Sequence, residues 1–173
     1  MRSAIVALLC AAAPALGHCF DFKGIHLGKH ATPHQVEDKL AIRCGVGANE
    51  VQVCNGSTTI AEEPAWLNLV IGANGIVQRI YLTLAPDAFE TVAPLLTEKF
   101  GRPASIQRSV VQNRMGAKFD QLVYSWRRSG GLELTYQRYA GNLDTSSLYF
   151  GTSEDRRLLN DAGTPENERR KDL

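Results

Sequence analysis

Three histidines, His26, His30 and His34, recur at four-residue intervals in the stretch GIHLGKHATPHQVEDKL. Imidazole nitrogens bind Zn²⁺ and Cu²⁺, and side chains four apart share one face of a helix, so the spacing could frame a metal site. The same stretch carries punctuation that divides it. Thr32 has the chemistry of a helix N-cap, Pro33 suits the first helical position, and Gln35 completes a capping box. The helix therefore starts between His30 and His34, which leaves His26 in a strand and His30 in a loop. The expectation is three exposed histidines at a strand-to-helix junction. Metal or small-ligand binding through His26, His30 and His34 is the alternative function.

Other candidate chemistry is sparse. Glu62 and Glu63 are adjacent, and neighbours on a strand point to opposite faces, so the two carboxylates do not converge. No G-x-S-x-G, Cys-x-x-Cys, His-Glu-x-x-His or glycine-rich phosphate loop occurs in the chain. The expectation is a non-enzymatic protein with no catalytic residue and no cofactor. Arg127, Arg128, Arg138 and Tyr139 gather near one end of a hairpin and could meet an anionic polymer of the cell wall or outer membrane, but charges on a sheet rim are the commoner explanation.

The segment MRSAIVALLCAAAPALGHCF opens with one basic residue, runs apolar from Ala4 to Ala13, and ends in small residues. This is the pattern of a secretory signal peptide over residues 1–17, with cleavage after Gly17. The apolar run is too short to span a bilayer, and no later segment suggests a transmembrane helix. Cys19 follows His18 rather than a small residue, which argues against a lipid anchor. The expected location is the periplasm or the exterior. Without Arg2, the 19 basic residues become 18 and match the 18 acidic ones. A chain without basic excess is not built to bind nucleic acid. Export places Cys44 and Cys54 in an oxidising compartment, where they are expected to form a disulfide that stabilises by roughly 2–3 kcal/mol. Cys19 is then left over.

The elements that must position these residues read as follows. FDFKGIHL is a short strand, and the helix after Thr32 carries Val36, Leu40 and Cys44 as its buried stripe before Gly45 ends it. VQVC and STTIA are short strands around a turn at Asn55–Ser57. AWLNLVIGANGIVQRIYLTL is a hairpin closed at Asn74-Gly75, the preferred pair for a type I′ turn. That turn sets Leu69 opposite Ile80 and Leu67 opposite Leu82. One face then carries Leu67, Leu69, Ile71, Ile76, Ile80 and Leu82. The other carries Trp66, Asn68, Val70, Val77, Arg79 and Tyr81. A second helix, PDAFETVAPLLTEKF, is capped by Asp87, buries Phe89, Val92, Leu96 and Phe100, and contains Pro94, which disfavours a straight course.

Strands follow at ASIQRSVVQ and KFDQLVYSWRR. The latter pairs with LELTYQRY, so that Trp126 faces Leu134 and Tyr124 faces Tyr136. TSSLYFG reads as an edge strand, a short helix follows at 155–160, and residues 163–173 form a charged tail with the composition of a disordered segment. The fold class is α+β: one exported domain over 18–162, an antiparallel sheet built as a meander of hairpins, and two main helices on one face. The opposite face carries Trp66, Asn68, Arg79 and Tyr81, residue types enriched where proteins bind partners. They are the candidate binding residues.

The segments FKGIHLGKHATPHQVEDKL and IVQRIYLTLAPDAFETVAPLLTEKFGRP, with the Trp126 strand, resemble small Gram-negative periplasmic domains of the β-lactamase-inhibitor-like and outer-membrane-assembly lipoprotein (SmpA/OmlA) kind. The resemblance implies helices packed on an antiparallel sheet and non-catalytic work through contacts with another envelope protein. The chain lacks the lipobox of the lipoprotein members, and no binding residue is carried over from them.

Overall fold

The computed structural model describes residues 20–157; the expected signal peptide, Cys19, the end of the helix expected at 155–160 and the charged tail lie outside them. The chain enters through a two-stranded hairpin, β1 (Asp21–Phe22) and β2 (Ile25–His26), and continues into helix α1 (Pro33–Leu40). Strands β3 (Arg43–Val46), β4 (Gln52–Ile60), β5 (Glu63–Ile71) and β6 (Val77–Leu84) follow. Helix α2 (Ala88–Phe100) precedes β7 (Ser105–Gln112), β8 (Lys118–Arg128), β9 (Leu132–Gln137) and β10 (Ser146–Gly151). The last eight strands form one antiparallel sheet in the order β3-β4-β5-β6-β10-β9-β8-β7. Among the described residues strands take 49% and only two helices reach seven residues, so the architecture is mostly antiparallel β, and the α+β expectation fits only roughly.

The core lies on one side of this sheet. Leu67, Leu69, Ile80, Leu82, Leu134, Tyr136, Leu148, Phe150 and Trp126 point inward and are buried, and they form one cluster with Val36 and Leu40 of α1 and Phe89, Val92, Leu96 and Phe100 of α2. Aromatic rings join the layers: Phe89 stacks on Tyr136 at 4.6 Å, and Phe20 meets Phe100 edge-on at 5.3 Å. Burial of Tyr136 pushes its hydroxyl up to about 12.

Helix α1 forms as its sequence dictates. The Thr32 hydroxyl accepts from Gln35 N–H, and the Gln35 amide oxygen accepts from Thr32 N–H. It ends earlier than its apolar period suggests. Ala41 adopts the left-handed conformation at φ 54° and closes the helix after Leu40. Cys44 is therefore on β3 and not on the helical stripe. There it stands directly opposite Cys54 of β4, and the two form the expected disulfide. Helix α2 keeps Pro94 on an exposed position inside a continuous helical span. Asp87 caps it by accepting from Ala88 N–H.

The hairpins agree with the sequence in register and differ in their turns. Leu67 faces Leu82, Leu69 faces Ile80, Trp126 faces Leu134 and Tyr124 faces Tyr136, all as expected. The turn at Asn74-Gly75 is not type I′. Gly75 N–H donates to Gly72 O, and only Gly75 has positive φ (75°), while the Asn74 side chain accepts from Ile76 N–H. A type I turn followed by a left-handed glycine adds one residue to the returning strand. The register shifts between Val70 and Ile71, so Ile71 meets Val77. Val77 is fully buried and Ile76 only partly so, which exchanges their expected places.

The two-residue turn with positive φ at both positions occurs elsewhere, at Ala61 (51°) and Glu62 (68°), residue types that give no signal for it. It closes the long β4–β5 pairing, and β4 runs without a turn through Asn55–Ser57. FDFKGIHL folds as a tight hairpin turning at Lys23-Gly24 rather than as one strand. The largest correction concerns TSSLYFG. It becomes β10, at the middle of the sheet between β6 and β9, buried on both faces at Ser146, Ser147 and Leu148. The edges are β3 and β7.

Candidate functional site on the outer sheet face

The register gives the composition of the face that points away from the helices. One row across the strands reads Asn55, Asn68, Tyr81, Tyr149 and Thr135; the next reads Ser57, Trp66, Thr83, Ser147 and Gln137. Antiparallel alternation places all of these opposite the core face. Trp66, on β5, keeps 54% of its surface exposed. The Asn68 amide beside it donates to Asn55 Oδ1 at 2.6 Å. Tyr81 lines an open depression of about 510 Å³ with Thr135, Gln137, Ser147 and Tyr149, floored by three strands and bounded by Ala140 and Gly141. Aromatic faces and amide or hydroxyl groups side by side can make both apolar and hydrogen-bonding contacts with a partner.

Arg79 shares this face but does different work. It sits one row further along, 24% exposed, with its guanidinium 3.6 Å from the Asp155 carboxylate. The Tyr149 hydroxyl donates to the other Asp155 oxygen at 2.8 Å. Asp155 lies in a helical turn over residues 153–157 that Thr152 begins by donating its N–H to Gln78 O and accepting Asp155 N–H on its hydroxyl. Arg156 of this turn pairs with Glu133. The turn thus covers the Arg79 end and leaves the Trp66 end open. Burial pushes the Asp155 carboxyl above its ordinary range, against the opposing pull of the Tyr149 hydrogen bond and Arg79, and burial also raises the Tyr149 hydroxyl. Gly151 makes the arrangement possible: the Tyr149 ring lies where a Cβ at Gly151 would stand.

The structure does not bring the three histidines together. His26 is exposed on β2, His30 bridges to Ile76 outside the main strands, and His34 on α1 lies 2.7 Å from Asp38, its neighbour one turn on. Among the described residues no group of three or more His, Cys, Asp or Glu side chains could hold a metal ion. The arginines also part. Arg127 and Arg128 line a pocket with Arg156, Arg157 and Glu133, while Arg138 pairs with Glu90 of α2 at 3.2 Å. Arg128 donates to Phe100 O and lies over the Phe20 ring at 5.3 Å, so it fastens β8 to the core side. Glu62 is exposed in its turn and Glu63 begins β5, so these carboxylates form no pair.

The sequence places Trp66, Asn68 and Tyr81 on the outer face, as the register does, but does not place Tyr149, Ser147, Thr135 and Gln137 beside them. The missing signal lay in SSLYFG, whose Leu148 and Phe150 alternate with Ser147 and Tyr149. With β10 placed at an edge, Tyr149 had no reason to approach Tyr81; in the sheet they are directly paired. Comparison with protein-family models, curated proteins and solved structures finds no match to this chain.

Proposed function

We propose that the chain is an exported, non-catalytic binding domain of the cell envelope, and that it docks another envelope protein on its outer sheet face through Trp66, Asn68 and Tyr81. One observation carries this reading. Trp66 stands more than half exposed on the face opposite the core, next to Asn68 and Tyr81 and across from the covering turn. Tryptophan and tyrosine anchor protein interfaces because a rigid ring buries much area at little entropic loss, and the polar neighbours supply the rim. The signal-peptide pattern and the disulfide between Cys44 and Cys54 support an exported location. The resemblance to envelope-assembly domains points the same way. Within this reading Arg79 serves the face from one row further along, by holding Asp155 and its turn in place.

The test is recovery of partner from an envelope extract with the wild-type chain, Trp66→Ala and Tyr81→Ala. The expected result is loss of the same partner band with both variants while the far-UV spectrum and melting midpoint stay unchanged. Equal recovery with all three chains would remove the site from this face.

A further inference from the structure

The sheet is open, so it ends in two edges, and the two are built differently. β3 is four residues long and is fastened to β4 by the Cys44–Cys54 disulfide. β7 is eight residues long, pairs with β8 in an uninterrupted register, contains no proline, and carries one charge, Arg108. Natural sheets blunt long regular edges because their free N–H and C=O groups accept another strand. β7 is not blunted. All its residues except Val111 are exposed, including Ile106 at 47% and Val110 at 60%.

The ladder shows which groups face outward. Just past β7, Asn113 N–H donates to Ala117 O at 3.0 Å, in step with the Gln112–Lys118 pair. Hydrogen-bonded pairs alternate along an antiparallel ladder, so the backbone groups of Gln107, Ser109 and Val111 turn toward β8. Those of Ile106, Arg108 and Val110 turn to the open edge. The side chains of these same three residues are on the core-facing side, because Ile106 stands opposite Tyr124 and Arg108 opposite Leu122.

We propose that β7 pairs antiparallel with β7 of a second copy of this chain, about a two-fold axis through Arg108 perpendicular to the sheet. In this register Ile106 meets Val110 of the second copy, and the dyad makes that apolar pair twice. A slip of one residue would turn the apolar side chains to the wrong face. A slip of two would set Ile106 against Gln112 and lose both apolar pairs. The strand supplies its own complement, which favours a second copy over a foreign strand. The two Arg108 side chains oppose each other at the centre, an unfavourable pairing. Asp120, opposite Val110 on β8 and diagonal to Arg108, is placed to offset it. The dyad keeps both outer faces on one side, so the dimer would present two Trp66 surfaces to a partner.

One added strand pair buries less than a standard stable interface, so the dimer is weak, with a dissociation constant on the order of 10–1000 µM. Sedimentation velocity of the full chain over that range tests it. The wild type is expected to shift from monomer to dimer with concentration. Val110→Pro removes an N–H that points away from β8, so the β7–β8 ladder keeps its hydrogen bonds, and it takes away the Val110 side chain. It should weaken the dimer at least tenfold, and Ile106→Lys should do the same without altering the backbone. Arg108→Ser removes the central like-charge pair and should tighten the dimer several-fold, which a foreign-strand site would not do. A single monomeric species throughout, or a dimer indifferent to both Val110→Pro and Ile106→Lys, would overturn the proposal; an unchanged dimer in Arg108→Ser would overturn its register.

Discussion

The two tryptophans stand on opposite faces of the same sheet. Trp126 on β8 points inward, is fully buried, and its indole N–H donates to Gly101 O at 2.7 Å just past the end of α2. Trp66 on β5 points outward and is 54% exposed. Equal side chains with unequal surroundings divide two kinds of work. Trp126 closes the seam between the second helix and the far half of the sheet, with Tyr124 at 6.0 Å and Phe89 beyond it. Trp66 holds no layer together; it presents area. Stability is concentrated on the inner face, and the proposed function gives recognition to the outer one.

The largest loss of stability is expected at Trp126. Trp126→Ala leaves a large cavity beside Tyr124 and Leu134 and strips Gly101 O of its donor. It is expected to destabilise the fold by about 3–5 kcal/mol, read from the midpoint of urea denaturation. A shift under about 1 kcal/mol would mean that the inner face is less closely packed than the aromatic contacts imply. The next effect in size is at Cys54, also buried on the inner face. The double substitution of Cys44 and Cys54 by alanine frees the β3 edge and is expected to remove about 2–3 kcal/mol. The matching control is the wild type under a reducing agent; if both leave the midpoint unchanged, the bridge contributes nothing to the ordering of that edge.

The inner face was also the legible one. Apolar alternation in LNLVI, IYL and LVYSW predicts the buried rows, and the local cap at Thr32 predicts where α1 starts, because both signals act over a few residues. The errors cluster where a distant segment decides. Cys44 continues the period of α1, yet pairing with β4 draws it into β3. SSLYFG has the length of an edge strand, but its place between β6 and β9 depends on residues more than fifty positions away. Ala61 and Glu62 adopt left-handed backbone because the long β4–β5 ladder imposes it, against their own preference. The outer-face depression forms only once β10 joins β6 to β9, so it could not be read from any one segment.

A subtler distinction lies at the covered end of the outer face. The buried Asp155 carboxyl has its pKa raised above the ordinary value near 3.8. For an acid so shifted, the folded chain holds its proton more tightly than the unfolded chain. This contribution to stability is therefore largest below about 3.8 and declines as pH rises through the folded value. Asp155→Asn keeps an acceptor for the Tyr149 hydroxyl and removes the titration. The wild type is expected to lose stability relative to Asp155→Asn as pH climbs from 4 toward neutrality, measured as the difference between their melting midpoints. A difference that stays flat, or grows in favour of the wild type, would show that Arg79 outweighs burial at this site.

The smallest effect on stability is expected at the residue with the largest proposed role. Trp66 makes its cross-strand neighbours of Ser57 and Thr83, both polar, and most of its ring faces solvent. Trp66→Ala should therefore move the unfolding midpoint by no more than about 0.5 kcal/mol, as for an ordinary surface substitution. Trp126→Ala and Trp66→Ala then separate fully: one strongly destabilises the domain, and the other leaves its stability intact and is expected to lose the partner of the proposed function. A loss of several kcal/mol at Trp66 would mean that the ring is part of the scaffold, and the division between the faces would fail. A stable Trp66→Ala chain with unchanged partner recovery would preserve that division and move recognition elsewhere, first to the open edge of β7.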